Sequence, residues 1–450
     1  MQRIKSLLIL FSLGLASCVQ NQVYKQLGMP RLNWEEAQVK PEQESLAIRL
    51  GSDLLFEEPY FSLVCGKRVG IMANRTSLTT VDRLLEEPEL KLVAIFAPEH
   101  GLDGRQPAGT GLASTFYRGV PVYACYGDGD ASRRIKGEYL EGLEVLLFEL
   151  QDLGTRHYTY ISSMYLAMDS AADCGIPFVV LDRPVAVGGG QVEGPVLEPE
   201  NQSFVGIGRL PNRYGMTIGE LALLFKNEPA LMDGPRYPRA KPTDPYSNLK
   251  DLKLYVVPMR GYRRWLCYDE QLGIPPWIPP SPNIPSVTAA LCYVGTGLFE
   301  GNPIQAMVAG FEQFSYLAFP FIKTEEELKA YLELARSFYD FPGLDFEIMV
   351  NPQSGKKNVV RLLITDRRHF NATYTALAML YAQLISYPQQ GLKQSGQLEV
   401  ILRRNHGTAW LAQLILQKDQ RELPTWESLL ERLKTDEEWF KAIRAKYLLY

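Results

Sequence analysis

LKLVAIFAPEHG, residues 90–101, decides how the rest of the chain is read. An apolar run, broken only by Lys91, stops at Pro98 and gives way to Glu99, His100 and Gly101. Consecutive apolar residues, as opposed to alternating ones, mark a strand covered on both faces. Four more runs share the pattern: KRVGIMA (67–73), VPVYAC (120–125), LEVLLFEL (143–150) and IPFVVLD (176–182). Stretches suited to helices lie between them, notably YISSMYLAMDSAADCG (160–175). Strands alternating with helices predict an α/β fold with a doubly wound parallel sheet, Rossmann-like in kind. Such sheets bind ligands beyond the carboxyl ends of their strands. Here those ends read ANRTS, PEHG, CYGDGD, QDLGTRHYTY and DRP, and the fold rule gathers them along one edge as a cleft.

The 450 residues suffice for two domains. The sheet domain is expected over 45–205, and a second, smaller α/β domain over 206–450. The latter should hold helices at 216–225, 371–386, 408–418 and 424–447, with strands at 252–258 and 359–366. LGIPPWIPPSPNIPS (272–286) has too much proline for a helix and reads either as a pocket wall or as a linker.

Residues 1–18 have the order of a signal peptide: Arg3 and Lys5, a short apolar core, then LASC. The core is too short for a transmembrane span. LASC resembles a bacterial lipobox, so lipidation is expected at Cys18, with 19–44 as a tether. Val19, not Asp, follows the cysteine, which fits sorting to an outer membrane. The expected location is a membrane-anchored lipoprotein on the periplasmic or outer-membrane side. The other cysteines have no CxxC spacing and read as buried thiols. A net charge of -4 leaves no basic footprint, so nucleic acid is not an expected partner.

Glu99 and His100, on a bend that Gly101 permits, read as a general acid or base or else as a solvated turn. Gln151, Asp152, Arg156, His157, Tyr158 and Tyr160 form a polar, tyrosine-rich cluster after a strand. Tyrosine can stack on a sugar and arginine can fix a carboxylate, although Asp152 also suits a helix cap. Asp182 and Arg183 read as an ion pair at a strand end, and the triple glycine at 188–190 as a turn. No HExxH occurs among His100, His157, His369 and His406, and no G-x-S-x-G is present. Neither a metal nor a nucleotide cofactor is expected.

Taken in order, several motifs resemble the exo-β-N-acetylmuramidase family. They are FAPEHG (96–101), Q-D-x-G-x-R-x-Y-T-Y (151–160), VLDRP (180–184), VEGPVL (192–197), GMTIGELA (215–222), PSPNIP (280–285) and the terminal YLLY. The resemblance covers residues 48 to 450. It implies a glycoside hydrolase that removes N-acetylmuramic acid from the non-reducing end of peptidoglycan fragments, in a cleft between two domains and without a cofactor. It implies Glu99 as the acid, supported by His100, with Asp152, Glu300 or Tyr158 as partner. Arg156 or Arg183 would read the lactyl carboxylate. Asn74, Tyr160, Asp182, Glu193, Arg213, Asn283, Glu300 and Asn302 are further expected substrate contacts.

The chain departs from the family pattern in places. After Glu300-Gly301-Asn302 the family's N-x-S-x-G-R-G-T stretch is replaced by PIQAMVAG, and Tyr214 and Glu149 stand where His and Asp are usual. Two alternatives to turnover on muramic acid therefore stand: a muropeptide-binding lipoprotein without catalysis or with altered specificity, and an envelope scaffold.

Overall fold

The computed structural model describes residues 47–106, 113–127, 130–234, 247–388, 396–416 and 423–450. Cys18, the signal peptide and the tether lie outside them.

Ten strands are described. β1 (Arg68–Ala73), β2 (Lys91–Ala97), β3 (Thr115–Tyr117), β4 (Val120–Ala124), β5 (Val145–Glu149), β6 (Phe178–Leu181) and β7 (Leu254–Val257) make one sheet, in the order β3-β4-β2-β1-β5-β6-β7. All its pairings are parallel except that of the edge strand β3 with β4. Counted without β3, the parallel strands run 3-2-1-4-5-6, the Rossmann order. The order reverses between β1 and β5, where Ala73 pairs with Glu149.

The apolar runs form these strands because both faces are covered. Met72, Phe96, Phe148 and Val180 face one core, while Ile71, Ile95, Leu147 and Val179 face the other. α1 (Leu78–Glu86) covers one side. On the other lies α2 (Tyr160–Asp173), buried along nearly its whole length. α3 (Ile218–Asn227) starts on a capping box between Thr217 and Glu220.

The strand expected at 252–258 in a second domain is instead β7, paired with β6. The large sheet therefore continues past residue 205. Its last crossover runs through α3, which packs on both β6 and β7. Beyond it come α4 (Val287–Thr296), β8 (Tyr316–Ala318), α5 (Glu325–Phe338), β9 (Leu344–Met349), β10 (Val359–Ile364), α6 (Ala372–Ser386), α7 (Gly396–His406), α8 (Ala409–Leu416) and α9 (Trp426–Arg444). The three strands form an antiparallel sheet, β8-β10-β9. This smaller layer shares the α2 side's core: Leu317, Leu377 and Phe440 belong to the same apolar cluster as Phe96 and Phe148.

α9 returns to the sheet domain. Glu437 accepts from Gly194 N (3.0 Å), Asp436 from Val196 N (2.9 Å), and Arg444 donates to the Gly189 carbonyl (3.1 Å). Cys125, Cys267 and Cys292 are buried thiols, as expected, whereas Cys65 and Cys174 are exposed.

Candidate active site

A cleft of about 570 Å³ opens at the carboxyl ends of β2 and β5. Its walls come from both halves of the chain: Glu99 and His100 after β2, Tyr158 to Tyr160 at the start of α2, Asn283 on the proline-rich segment, and Glu300 and Asn302 after α4. That segment is thus a pocket wall.

Glu99 is half-buried, and Thr159 Oγ1 donates to its Oε2 at 2.9 Å. Tyr126 also lines the cleft, and burial together with the nearby Glu99 pushes its phenol up to about 12. His100 sits at φ 71°, a left-handed conformation that costs a non-glycine residue free energy. Its Nδ1 lies 2.7 Å from the Gln106 carbonyl. A carbonyl only accepts, so Nδ1 carries the proton and Nε2 of the neutral ring is an acceptor.

Also in the cleft lining, Asn405 Nδ2 donates to Glu300 Oε2 at 2.9 Å. The Tyr158 hydroxyl is buried, with no hydrogen-bond partner among the described residues. Burial, with Tyr160 beside it, holds that phenol well above its ordinary value. Tyr160 donates to the Pro280 carbonyl (2.6 Å) and accepts from Asn74 (2.9 Å), so Asn74 reaches the cleft only through Tyr160.

His157 lines the cleft as well. Asn212 gives both its amide hydrogens to Val294 and Thr373, which leaves Oδ1 to accept from His157 Nδ1 at 3.1 Å. Burial, aided by Arg156, lowers the imidazole to about 4, so it is neutral at neutral pH.

Besides Asn74, six expected residues do not line the cleft, because buried polar groups and backbone carbonyls around them hold them elsewhere. Arg183 forms a buried ion pair with Glu149 (2.6 Å) and donates to Gln151 Oε1 (3.0 Å). Arg213 pairs with Glu193. Asp182 caps α3, accepting from Gly219 N (2.8 Å) and Thr217 Oγ1 (2.8 Å), and takes the Tyr450 hydroxyl at 2.7 Å. Asp152 closes the turn after β5, accepting from Gly154 N (2.9 Å) and from Tyr214. Arg156 is fully buried and donates to the carbonyls of Pro195 (2.8 Å), Leu210 (2.7 Å) and Asn405 (3.1 Å).

The cleft also holds groups that the sequence reading passed over, chiefly Tyr126, Arg133, Thr159, Tyr293, Arg404 and Asn405. Only Thr159 had a local signal, its place inside the 151–160 motif. The cleft thus offers two carboxylates from distant parts of the chain, each bonded by a neutral donor, among aromatic rings that suit a sugar.

Family models described as exo-beta-N-acetylmuramidase NamZ, N-terminal and C-terminal, match residues 69–288 and 291–450. The chain belongs to the exo-β-N-acetylmuramidase NamZ family. It is a glycoside hydrolase. The peptidoglycan beta-N-acetylmuramidase NamZ of Bacillus subtilis (strain 168) is 34% identical over 417 residues, covering 90% of this chain and 91% of that one. A DUF1343 family protein of Bacteroides fragilis NCTC 9343, known from its crystal structure, superposes with a TM-score of 0.74 at 28% identity, over 90% of this chain and 99% of that chain. A second protein from the same strain has the same fold, with a TM-score of 0.60 at 24% identity. The two NamZ halves meet between Asn283 and Glu300, so the cleft straddles their junction.

Proposed function

We propose that this chain is an exo-acting hydrolase that removes β-linked N-acetylmuramic acid from the non-reducing end of peptidoglycan fragments, with Glu99 as general acid and base. One observation carries the reading: Glu99, held by Thr159, and Glu300, held by Asn405, line one cleft. Glycoside hydrolysis commonly uses such a pair. Glu99 protonates the leaving oxygen. Glu300 serves the anomeric carbon or the attacking water. Tyr158 adds its ring to the cleft wall, and His100 offers Nε2 as an acceptor.

The substrate class is supported by membership of the NamZ family and by likeness to the Bacillus subtilis enzyme. The 302–310 loop, where the family's Ser, Arg and Thr are replaced, still brings Asn302 and Gln305 to the cleft, and this favours turnover over binding alone. The enzyme acts outside the cytoplasm, tethered through a lipid on Cys18. Labelled palmitate should be incorporated into the wild type and not into Cys18→Ala; equal labelling of the two would reject the anchor.

Glu99→Gln tests the site, with a chromogenic β-N-acetylmuramide as substrate. Losing a general acid costs roughly two to four orders of magnitude in rate. A variant with an unchanged rate would sink the assignment. Saturable sugar binding by a wild type that releases nothing would support the binding protein instead.

A further inference from the structure

We propose that Arg404 binds the carboxylate of the substrate's muramic acid unit. The inference rests on the glycosidase reading and adds its specificity determinant. N-acetylmuramic acid differs from N-acetylglucosamine by a lactyl ether, whose carboxylate is ionised at neutral pH. Glu300 lines the same cleft, so an anionic sugar entering it meets like charge. A cation that touches the ligand must offset this for such a sugar to be preferred.

The two arginines first expected in that role are already engaged, Arg156 by three carbonyls and Arg183 by Glu149 and Gln151. Among the described residues, the cationic side chains that line the cleft are Arg133 and Arg404. Arg133 packs over aromatic rings of the wall, its guanidinium carbon 4.3 Å from the Phe204 ring centre and 5.4 Å from that of Tyr126. Arg404 is exposed in the cleft and forms no ion pair with any described residue.

The backbone under Arg404 is fixed. The neighbouring Asn405 is buried, gives its amide to Glu300 and takes Arg156 on its carbonyl. Gly407 N donates to the Arg403 carbonyl at 2.9 Å and closes the end of α7. Arg404 thus projects from a rigid base beside the residue that holds Glu300. Its planar fork suits two-point recognition of a carboxylate.

The test uses the full chain and four proteins: wild type, Arg404→Ala, Arg404→Lys and Arg133→Ala. Calorimetry compares the binding of N-acetylmuramic acid with that of its lactyl methyl ester. Turnover compares the chromogenic β-N-acetylmuramide with its methyl ester. Charge-assisted hydrogen bonding predicts that the wild type prefers the acid by about ten- to a hundredfold. Arg404→Ala should lose that preference, Arg404→Lys should keep part of it, and Arg133→Ala should weaken acid and ester alike.

A preference intact in Arg404→Ala, or lost instead in Arg133→Ala, overturns the proposal. So does a wild type that binds acid and ester equally. If the proteins bind sugar but none turns substrate over, the glycosidase reading fails while the binding comparison still judges Arg404.

Discussion

Asp152 shows how a strand-end carboxylate can be kept away from substrate and still be felt. Its Oδ1 is buried without a hydrogen-bond partner among the described residues, and burial raises the carboxyl to about 7. A carboxyl whose pKa is higher in the folded than in the unfolded protein stabilises the fold fully only below its unfolded value, near 4. That contribution is lost as pH rises towards 7. Asp152→Asn carries no such titration, so its melting temperature should rise relative to wild type between pH 5 and pH 8. A gap between the two that ignores pH would reject this. Tyr214 donates to Asp152 Oδ2, and that bond opposes the rise. Tyr214→Phe should therefore cost about 1–3 kcal/mol at pH 7, read from denaturant unfolding. The sequence showed Asp152, Asp182 and Arg183 as polar residues at the right edge of the right fold. It could not show that Tyr214, Tyr450 and Glu149 had already claimed them, because those partners come from three other parts of the chain. Glu99 was legible because it follows a long apolar strand, and its bond from Thr159 keeps it on the cleft wall.

At the scale of elements, what could be read was what had a period. β1, β2, β4, β5 and β6 are continuous apolar runs because helices or loops cover both their faces. β3 and β8 are three residues long, too short to show a pattern, whereas β9 alternates exposed Asp345 and Glu347 with more buried Leu344, Phe346 and Ile348, a readable period although it is not among the expected elements. α5 buries Leu328, Tyr331, Leu332 and Ala335 at helical spacing, so it was readable by the same rule although it is not among the expected elements. The turn from α4 into the Glu300 segment was not readable, since close approach governs it. A Cβ on Gly297 would lie 2.4 Å from His157 Nε2 and 3.0 Å from the Tyr293 ring. His157 is held by Asn212 and cannot easily yield. Gly297→Ala should cost about 1–3 kcal/mol of stability and lower turnover by displacing Glu300. Wild-type kinetics together with wild-type stability would show that the wall gives way freely.

For the whole molecule, the shared core matters more than the division into two sheets. Phe96 in β2 and Phe440 in α9 belong to one apolar cluster, and α9 holds the 189–196 segment through Asp436, Glu437 and Arg444. Residues 47–288 expressed alone should therefore lack a cooperative unfolding transition, whereas the full chain should melt in a single one. A sharp transition in the fragment would show that the large sheet stands by itself. The cleft has a consequence of the same kind. Glu99, Thr159, Glu300 and Asn405 come from four distant stretches and converge only in the finished fold. Unfolding or cutting away any one of these four stretches should break that convergence. Damage should silence this enzyme outright, and no slow or indiscriminate glycosidase should be left behind to erode the wall of the cell that made it.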